Sequence, residues 1–289
     1  MTGSHGATLA VIGGSGLYDL PGIEGTEEIA VTTPYGDPSD RVLRGRLGDT
    51  TMLFLPRHGR GHRVPPSSIN YRANVCALKQ LGATHLLSVS AVGSMREEIR
   101  PGDLVIVDQF IDLTKRRIGS FFDDDVAAHV AMADPVCPHL ADAVATAAAG
   151  CGAPSHRGGT YVCIEGPQFS TRAESQLYRS WGVSVIGMTN MPEAKLAREA
   201  ELPYATVAIA TDYYCWHRSE EDVSVDAILA VLGTSLARTK TLISNLARAP
   251  LPDPRESPAF GALRHVILTD KSLIPPSKRA VLAWLLKDL

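Results

Sequence analysis

Seven short apolar runs, rich in β-branched residues, constrain this chain more than any other feature: TLAVIGG, TMLFLPRHG, HLLSVSAVGS, DLVIVDQFI, TYVCIEG, VSVIGMT and YATVAIATD. Apolar stretches of about four to eight residues read as buried strands. Helical patterns separate several of them, as in SINYRANVCALKQLG, STRAESQLYRSWG and MPEAKLAREAELP, the last with a proline near its start and acids nearby. Strands alternating with helices imply an α/β domain.

After the last run, SVDAILAVLGTSLARTKTLISNLAR has apolar residues spaced by three and four, the pattern of a long packing helix. A proline-rich break, APLPDPRESP, follows, and PPSKRAVLAWLLKDL is expected to close the chain as an amphipathic helix. No internal repeat, low-complexity tract or linker divides the sequence. The expectation is one domain over 1–289, with 250–289 as a C-terminal helical appendage.

No stretch approaches the roughly 20 apolar residues that span a bilayer. The opening MTGSHGATLAVIGG lacks a basic region followed by an apolar one and a cleavage site, so no export is expected. Cys76, Cys137, Cys151, Cys163 and Cys215 are odd in number and lack zinc-type spacing, which implies free thiols and a cytoplasmic protein. The net charge of -3 offers no broad cationic surface for nucleic acid. A local anion site remains open, since a few arginines and backbone amides hold one phosphate whatever the global charge.

Open α/β sheets bind ligands at the carboxyl edge of their strands, and most of the runs end there in glycine or a polar residue. VIGGSGLYD brings Gly13, Gly14, Ser15 and Gly16, a turn or an anion cradle; Asp19 stands where a dinucleotide fingerprint needs Gly or Ala. LPRHGRGH places Arg57 beside His58, a pair suited to a tetrahedral oxyanion. The rival, metal binding by His58 and His62, is weakened by the two glycines among them. In SVSAVGSMREEIRPGD, Ser90 and Ala91 offer a hydroxyl and an amide to the same anion, while Arg96, Glu97 and Glu98 read as a solvated turn. IEGPQFSTRAE holds Glu165, a catalytic base, a ribose acceptor or a cap, near Phe169 and Ser170. IGMTNMPE adds Met188 and Thr189, and Met and Phe at strand ends suit a flat ring.

Taken in order, GGSGLYD, PRHGRGHRVPPSSINYRAN, SAVGSMREEIRPGDLVIVDQFID, IEGPQFSTRAES, MTNMPEAKLAREAELPYA and ATDYYCW resemble the methylthioadenosine phosphorylase branch of the purine nucleoside phosphorylases, over roughly residues 8–248. The resemblance implies a single domain with a mixed central sheet flanked by helices, a homotrimer, and phosphorolysis of an N-glycosidic bond to a purine without metal or organic cofactor. Carried over by position, phosphate is expected at Ser15, Arg57, His58, Ser90, the Ala91 amide and Thr189. Phe169 and Met188 are expected against purine and ribose, and Asp212 facing the base. His129 matches a residue that reaches the sugar's 5' end from a neighbouring subunit.

Cleaving the C1'–N9 bond leaves positive charge on the ribose and negative charge on the purine, as in the transition state of glycoside cleavage. A bound phosphate dianion stabilises the sugar, and a protonated Asp212 at purine N7 stabilises the base. The alternative for Asp212 is a cap or an ion-pair partner. A carboxylate here also accepts from an exocyclic 6-amino group, whereas the 6-oxopurine branches resemble this pattern with asparagine. Tyr214 departs from the TDYDCW of methylthioadenosine phosphorylases, where a second aspartate stands. Either the phenol turns away from the base or it reshapes the pocket and broadens purine choice. Val225 and Leu229, one helical turn apart, suit a methylthio group or belong to the helix core. The expected reaction is phosphorolysis of 5'-methylthioadenosine, with a 6-oxopurine or broad-range phosphorylase as alternative. A hydrolytic nucleosidase and a non-enzymatic purine-binding protein are the more distant readings.

Overall fold

The computed structural model describes residues 6–14, 16–17, 19–217 and 225–286. Its strands are β1 (Thr8–Gly13), β2 (Glu24–Ile29), β3 (Val42–Leu47), β4 (Thr50–Pro56), β5 (His85–Ser94), β6 (Leu104–Ile106), β7 (Gln109–Asp112), β8 (Ser155–Arg157), β9 (Thr160–Cys163), β10 (Val185–Gly187) and β11 (Tyr204–Asp212). Its α-helices are α1 (Tyr71–Gln80), α2 (Pro138–Ala149), α3 (Arg172–Ser180), α4 (Asn190–Glu199), α5 (Val225–Arg248) and α6 (Pro276–Leu282). Local chemistry sets several boundaries. The Asn70 side chain accepts from Ala73 N at the start of α1, and Thr171 with Glu174 closes a capping box on α3.

One mixed sheet organises the chain, running β2-β3-β4-β1-β5-β10-β9-β7, with β11 against β5 and β6, and β8 against β6. All six residues of β1 are buried, and β11 is buried up to its last residue, as expected of strands covered on both faces. The outer β2–β3 pair is different. β2 is exposed along most of its length, and its Glu27 pairs with Arg44, a charged edge that discourages strand addition.

The run DLVIVDQFI divides. β6 joins β11 and β7 joins β9, so the chain changes partners between Ile106 and Gln109. The C-terminal segment forms less helix than its pattern suggests, α6 ending at Leu282. It still packs on the body of the chain: Ile274 and Leu282 are buried, and Trp284 meets Phe121 edge-on at 4.9 Å. All five cysteines are free. Among the described residues no helix is long and apolar enough to cross a membrane.

The centre of the sheet forks. β1 accompanies β5 as far as Ile12 opposite Ser88, and β10 joins from Ile186 opposite Gly93. β11 runs along the other edge from Leu86 to Gly93, so β1 and β10 share one edge of β5. Between them, residues 89–92 have no strand on that side.

Candidate functional site

The fork exposes the one part of β5 that a continuous sheet would seal. Ala91 is the single exposed residue of the strand, with buried neighbours on both sides. Val89 directs its carbonyl into the gap, where Arg57 Nη1 donates to it at 2.9 Å. Alternate residues of a strand point their N–H and C=O to the same edge, so the Ala91 amide faces the gap as well. Ser90 is 6% exposed and its hydroxyl has no hydrogen-bond partner among the described residues. A buried orphan hydroxyl beside an amide that no neighbouring strand takes up is what an anion site requires.

Arg57 does not stand open at the rim as the glycines around it suggest. It is 1% exposed, because a guanidinium can be buried only when acceptors surround it. Nε donates to Glu193 Oε2 at 2.9 Å, and Nη2 faces Ser88 Oγ at 2.6 Å, Ile12 O at 3.1 Å and Glu193 Oε1 at 3.1 Å. Of the five N–H donors of an arginine, one on Nη1 is left without an acceptor among the described residues. Burial would lower its pKa, and the facing Glu193 carboxylate outweighs this and raises it. Arg57 is therefore a fixed charge behind the gap rather than a mobile clamp.

His58 also differs from a second cation. Its Nδ1 lies 2.8 Å from the Val64 carbonyl, which can only accept, so Nδ1 carries the proton. Burial, the main cause, holds its pKa down to about 4. The neutral ring thus presents Nε2 as an acceptor. It stacks on His62 at 4.1 Å with 18° between the planes, an arrangement unlike two nitrogens converging on a metal. Among the described residues no three His, Cys, Asp or Glu side chains are grouped to hold a metal ion.

At the end of β10, Thr189 is 7% exposed and Met188 half-buried. The Phe169 loop comes close to them: a Cβ on Gly166, whose φ is +67°, would fall 2.5 Å from Met188 Sδ. Phe169 itself is 44% exposed.

Asp212 ends β11 next to the fork, paired with Gly93. Its Oδ2 accepts from Thr211 Oγ1 at 2.7 Å and its Oδ1 from Tyr214 N at 2.8 Å. Burial pushes its pKa up, and these two hydrogen bonds offset only part of the rise. It caps the following turn, and it is also a carboxyl group that holds a proton more readily than usual.

Tyr214 neither turns out to solvent nor stands free in a pocket. It is 5% exposed, in a turn with φ 55°, and its phenol oxygen accepts from Ser170 N at 2.7 Å. The ring meets Phe169 edge-on at 6.2 Å and lies so near Gly93 that a Cβ there would be 2.5 Å from it. Tyr214 thus ties the Phe169 loop to the strand bearing Asp212.

A family model described as Phosphorylase superfamily matches residues 8–248. The chain belongs to the phosphorylase superfamily. An S-methyl-5'-thioadenosine phosphorylase of Geobacter sulfurreducens is 57% identical over 268 residues, 92% of this chain and 93% of that protein. One from Koribacter versatilis is 50% identical over 273 residues, 94% of this chain and 93% of its own. Among solved structures, a methylthioadenosine phosphorylase sourced from an antarctic soil metagenomic library has a TM-score of 0.91 at 46% identity, covering 97% of this chain and 99% of that one. Methylthioadenosine phosphorylase from Schistosoma mansoni in complex with adenine has a TM-score of 0.79 at 38% identity, covering 83% of this chain and 91% of that one.

In this phosphorylase superfamily chain the remaining candidates fall into three groups. Ser15 and the side chain of Val225 lie outside the described residues. Leu229, on α5, is 59% exposed, so the reading of it as helix core does not hold for this chain. His129 is exposed in a segment pinned by the C-terminal part: its N–H donates to Val266 O at 3.1 Å. Arg96 meets Glu98 at 3.5 Å with both side chains largely exposed, as a solvated turn should.

Glu165 is not available as a base. Ser67 Oγ donates to it, Lys115 N and Arg116 N donate to its other oxygen, and Arg117 lies at 3.4 Å. These donors outweigh its desolvation and hold the carboxyl down to about 2. Arg117 carries no signal in the sequence, yet it donates to the carbonyls of Met188 at 2.6 Å, Met191 at 2.6 Å and Glu165 at 2.7 Å. It joins the two loops that carry Met188 and Phe169. Glu193 escapes sequence reasoning for the same reason: its partner Arg57 is distant along the chain, and no local pattern signals the pairing.

Proposed function

We propose that this protein is a 5'-methylthioadenosine phosphorylase, converting methylthioadenosine and inorganic phosphate to adenine and 5-methylthioribose 1-phosphate without a further cofactor. The observation that carries the reading is the fork in the sheet. An exposed Ala91 and an unpartnered Ser90 hydroxyl lie there, and Asp212, whose pKa burial raises, stands at the end of the adjoining strand. The proteins to which this chain is 50–57% identical carry that name.

In this reading phosphate sits in the gap, held by the Ala91 amide and by the hydroxyls of Ser90, Thr189 and Ser15. Arg57 supplies positive charge from behind, with its remaining Nη1 proton. His58, neutral and with Nε2 as acceptor, takes the O–H of hydrogen phosphate and turns the ionised oxygens toward the sugar. Phe169 and Met188 flank purine and ribose. As the C1'–N9 bond lengthens, the phosphate stabilises the cationic ribose and then bonds to C1'. Asp212 gives its proton, or a share of it, to N7 of the departing base, an assistance worth about 10²–10⁴-fold. Its other oxygen accepts from the 6-amino group.

Val225 and Leu229 receive the methylthio group, which agrees with an exposed leucine on α5 that needs a ligand or a neighbour to cover it. His129, exposed on its pinned segment, serves the sugar pocket of the next subunit in a homotrimer. The free thiols fit a reducing, cytoplasmic setting.

The test is release of free base from methylthioadenosine with and without phosphate, beside methylthioinosine. Phosphate-dependent release of adenine, with methylthioinosine poorly used, is the expected result. Cleavage at full rate without phosphate makes the protein a hydrolase, and faster release of hypoxanthine makes it a 6-oxopurine enzyme.

A further inference from the structure

Tyr161 is a buried polar group to which the mechanism above gives no task. It lies on β9 at 0% exposure, where phenylalanine would bury the same ring and only the O–H needs an explanation. In register it stands beside Val185 of β10, but its ring runs on past Gly187. A Cβ on Gly187 would fall 2.0 Å from the phenol oxygen and 2.6 Å from Cζ, so the route exists only because that residue is glycine. The oxygen emerges close to the fork. Thr189 N points at it from 3.5 Å, and the Ser90 and Thr189 hydroxyls neighbour it.

Three hydroxyls therefore meet at one place, and their protons have to be arranged. Burial, the largest influence on the phenol, raises its pKa, so it stays protonated and must donate. The Ser90 oxygen has no hydrogen-bond partner among the described residues and is the acceptor at hand. Once it accepts, its own proton is directed elsewhere, and the open direction is the gap beside Ala91. Without the phenol, the serine and threonine hydroxyls are free to rotate and to bond one another instead of an anion.

We propose that Tyr161 is a positioning residue for the phosphate site: its hydroxyl donates to Ser90 and so directs the Ser90 proton into the gap of the sheet. This rests on the reading of that gap as the phosphate site. Tyr161 touches no substrate, and Gly187 is the opening through which it acts.

The experiment compares wild type with Tyr161→Phe, which removes one oxygen and keeps the ring. Initial rates are measured with methylthioadenosine and phosphate each varied, and inorganic phosphate alone is titrated calorimetrically into both proteins. The expected result is a phosphate KM and Kd raised about 3–10-fold, the worth of one ordered hydrogen bond, with the nucleoside KM held. In the double variant with Ser90→Ala the two losses overlap instead of multiplying, because Tyr161 acts through Ser90. An unchanged phosphate KM overturns the proposal, and so does equal weakening of both substrates or a variant that loses its fold, since each marks a purely structural tyrosine. A wild-type protein that shows no phosphate-dependent cleavage overturns the functional reading; normal phosphorolysis by wild type with a silent Tyr161→Phe overturns this inference alone.

Discussion

Replacing Glu193 by glutamine tests the central electrostatic claim about the site. Glu193 and Arg57 are each 1% exposed and meet through two hydrogen bonds, at 2.9 and 3.1 Å. Glu193 Oε1 also accepts from Tyr204 Oη at 3.2 Å. A glutamine fills the same space and keeps one acceptor, but its amide nitrogen must then face an arginine N–H or the tyrosine O–H. The guanidinium is left without its counter-charge, and breaking a buried pair from one side costs about 3–5 kcal/mol. For a chain of this length each kcal/mol moves the melting temperature by about 2 °C, so a fall of about 6–10 °C is expected. Thermal unfolding followed by circular dichroism reads it. Phosphate supplies a second expectation of definite sign. In the variant an anion in the gap becomes the main counter-charge of Arg57, so saturating phosphate should raise the melting temperature more than it does in wild type. The double variant Arg57→Met, Glu193→Leu should recover much of the stability and lose the response to phosphate. A fall of less than about 2 °C for Glu193→Gln, with an unchanged phosphate response, would refute the view of Glu193 as the counter-ion that sets the charge behind the site.

Asp212→Asn should lower kcat about 10²–10⁴-fold with little effect on the phosphate KM. It should also flatten the alkaline limb of the kcat–pH profile, because activity that needs a protonated Asp212 declines as pH rises through its raised pKa. Glu165→Gln removes a carboxylate whose pKa is held down to about 2. The full shift corresponds to about 3 kcal/mol, and solvent screening at this partly exposed group leaves about 1–2 kcal/mol. Because the folded-state pKa is depressed, that stability is present above the unfolded value of 4.5 and is lost as pH falls toward about 2. Chemical denaturation at pH 7 and pH 3 should show the gap between variant and wild type narrowing. Tyr214→Phe leaves the Ser170 N–H without its acceptor and should loosen the Phe169 loop, raising the nucleoside KM about 2–10-fold while the phosphate KM holds; equal effects on both would count against a loop-anchoring tyrosine.

Much of this arrangement is legible in the order of the residues. The seven apolar runs supply the interior strands, and Asn70 and the Thr171–Glu174 box open two helices that the apolar spacing predicts. Periodicity reports burial on a local element, and those elements are buried locally. It fails where burial is absent or shared. β2 is charged and exposed, and so has no apolar signature. DLVIVDQFI is one apolar run that the fold divides between two edges, a decision made by partners distant in sequence. The positions of Ser90, Ala91, Thr189 and Asp212 at one edge follow from motif order. What those side chains do there does not. That Arg57 is enclosed, that His58 is neutral and that Glu165 is a lock all depend on Glu193, Val64, Ser67 and Arg117, none of them near in sequence to the group it governs except Val64.

If phosphate binds in the break on one edge of β5, as proposed, it bonds to strand backbone that no neighbouring strand takes up. Anion binding and the integrity of the fold are then one equilibrium. Phosphate at 100 times its Kd would stabilise the folded chain by about 2.7 kcal/mol, and the Ala91 amide would be the proton whose exchange with solvent slows most. A cell depleted of phosphate would hold this protein at its weakest as well as at its slowest.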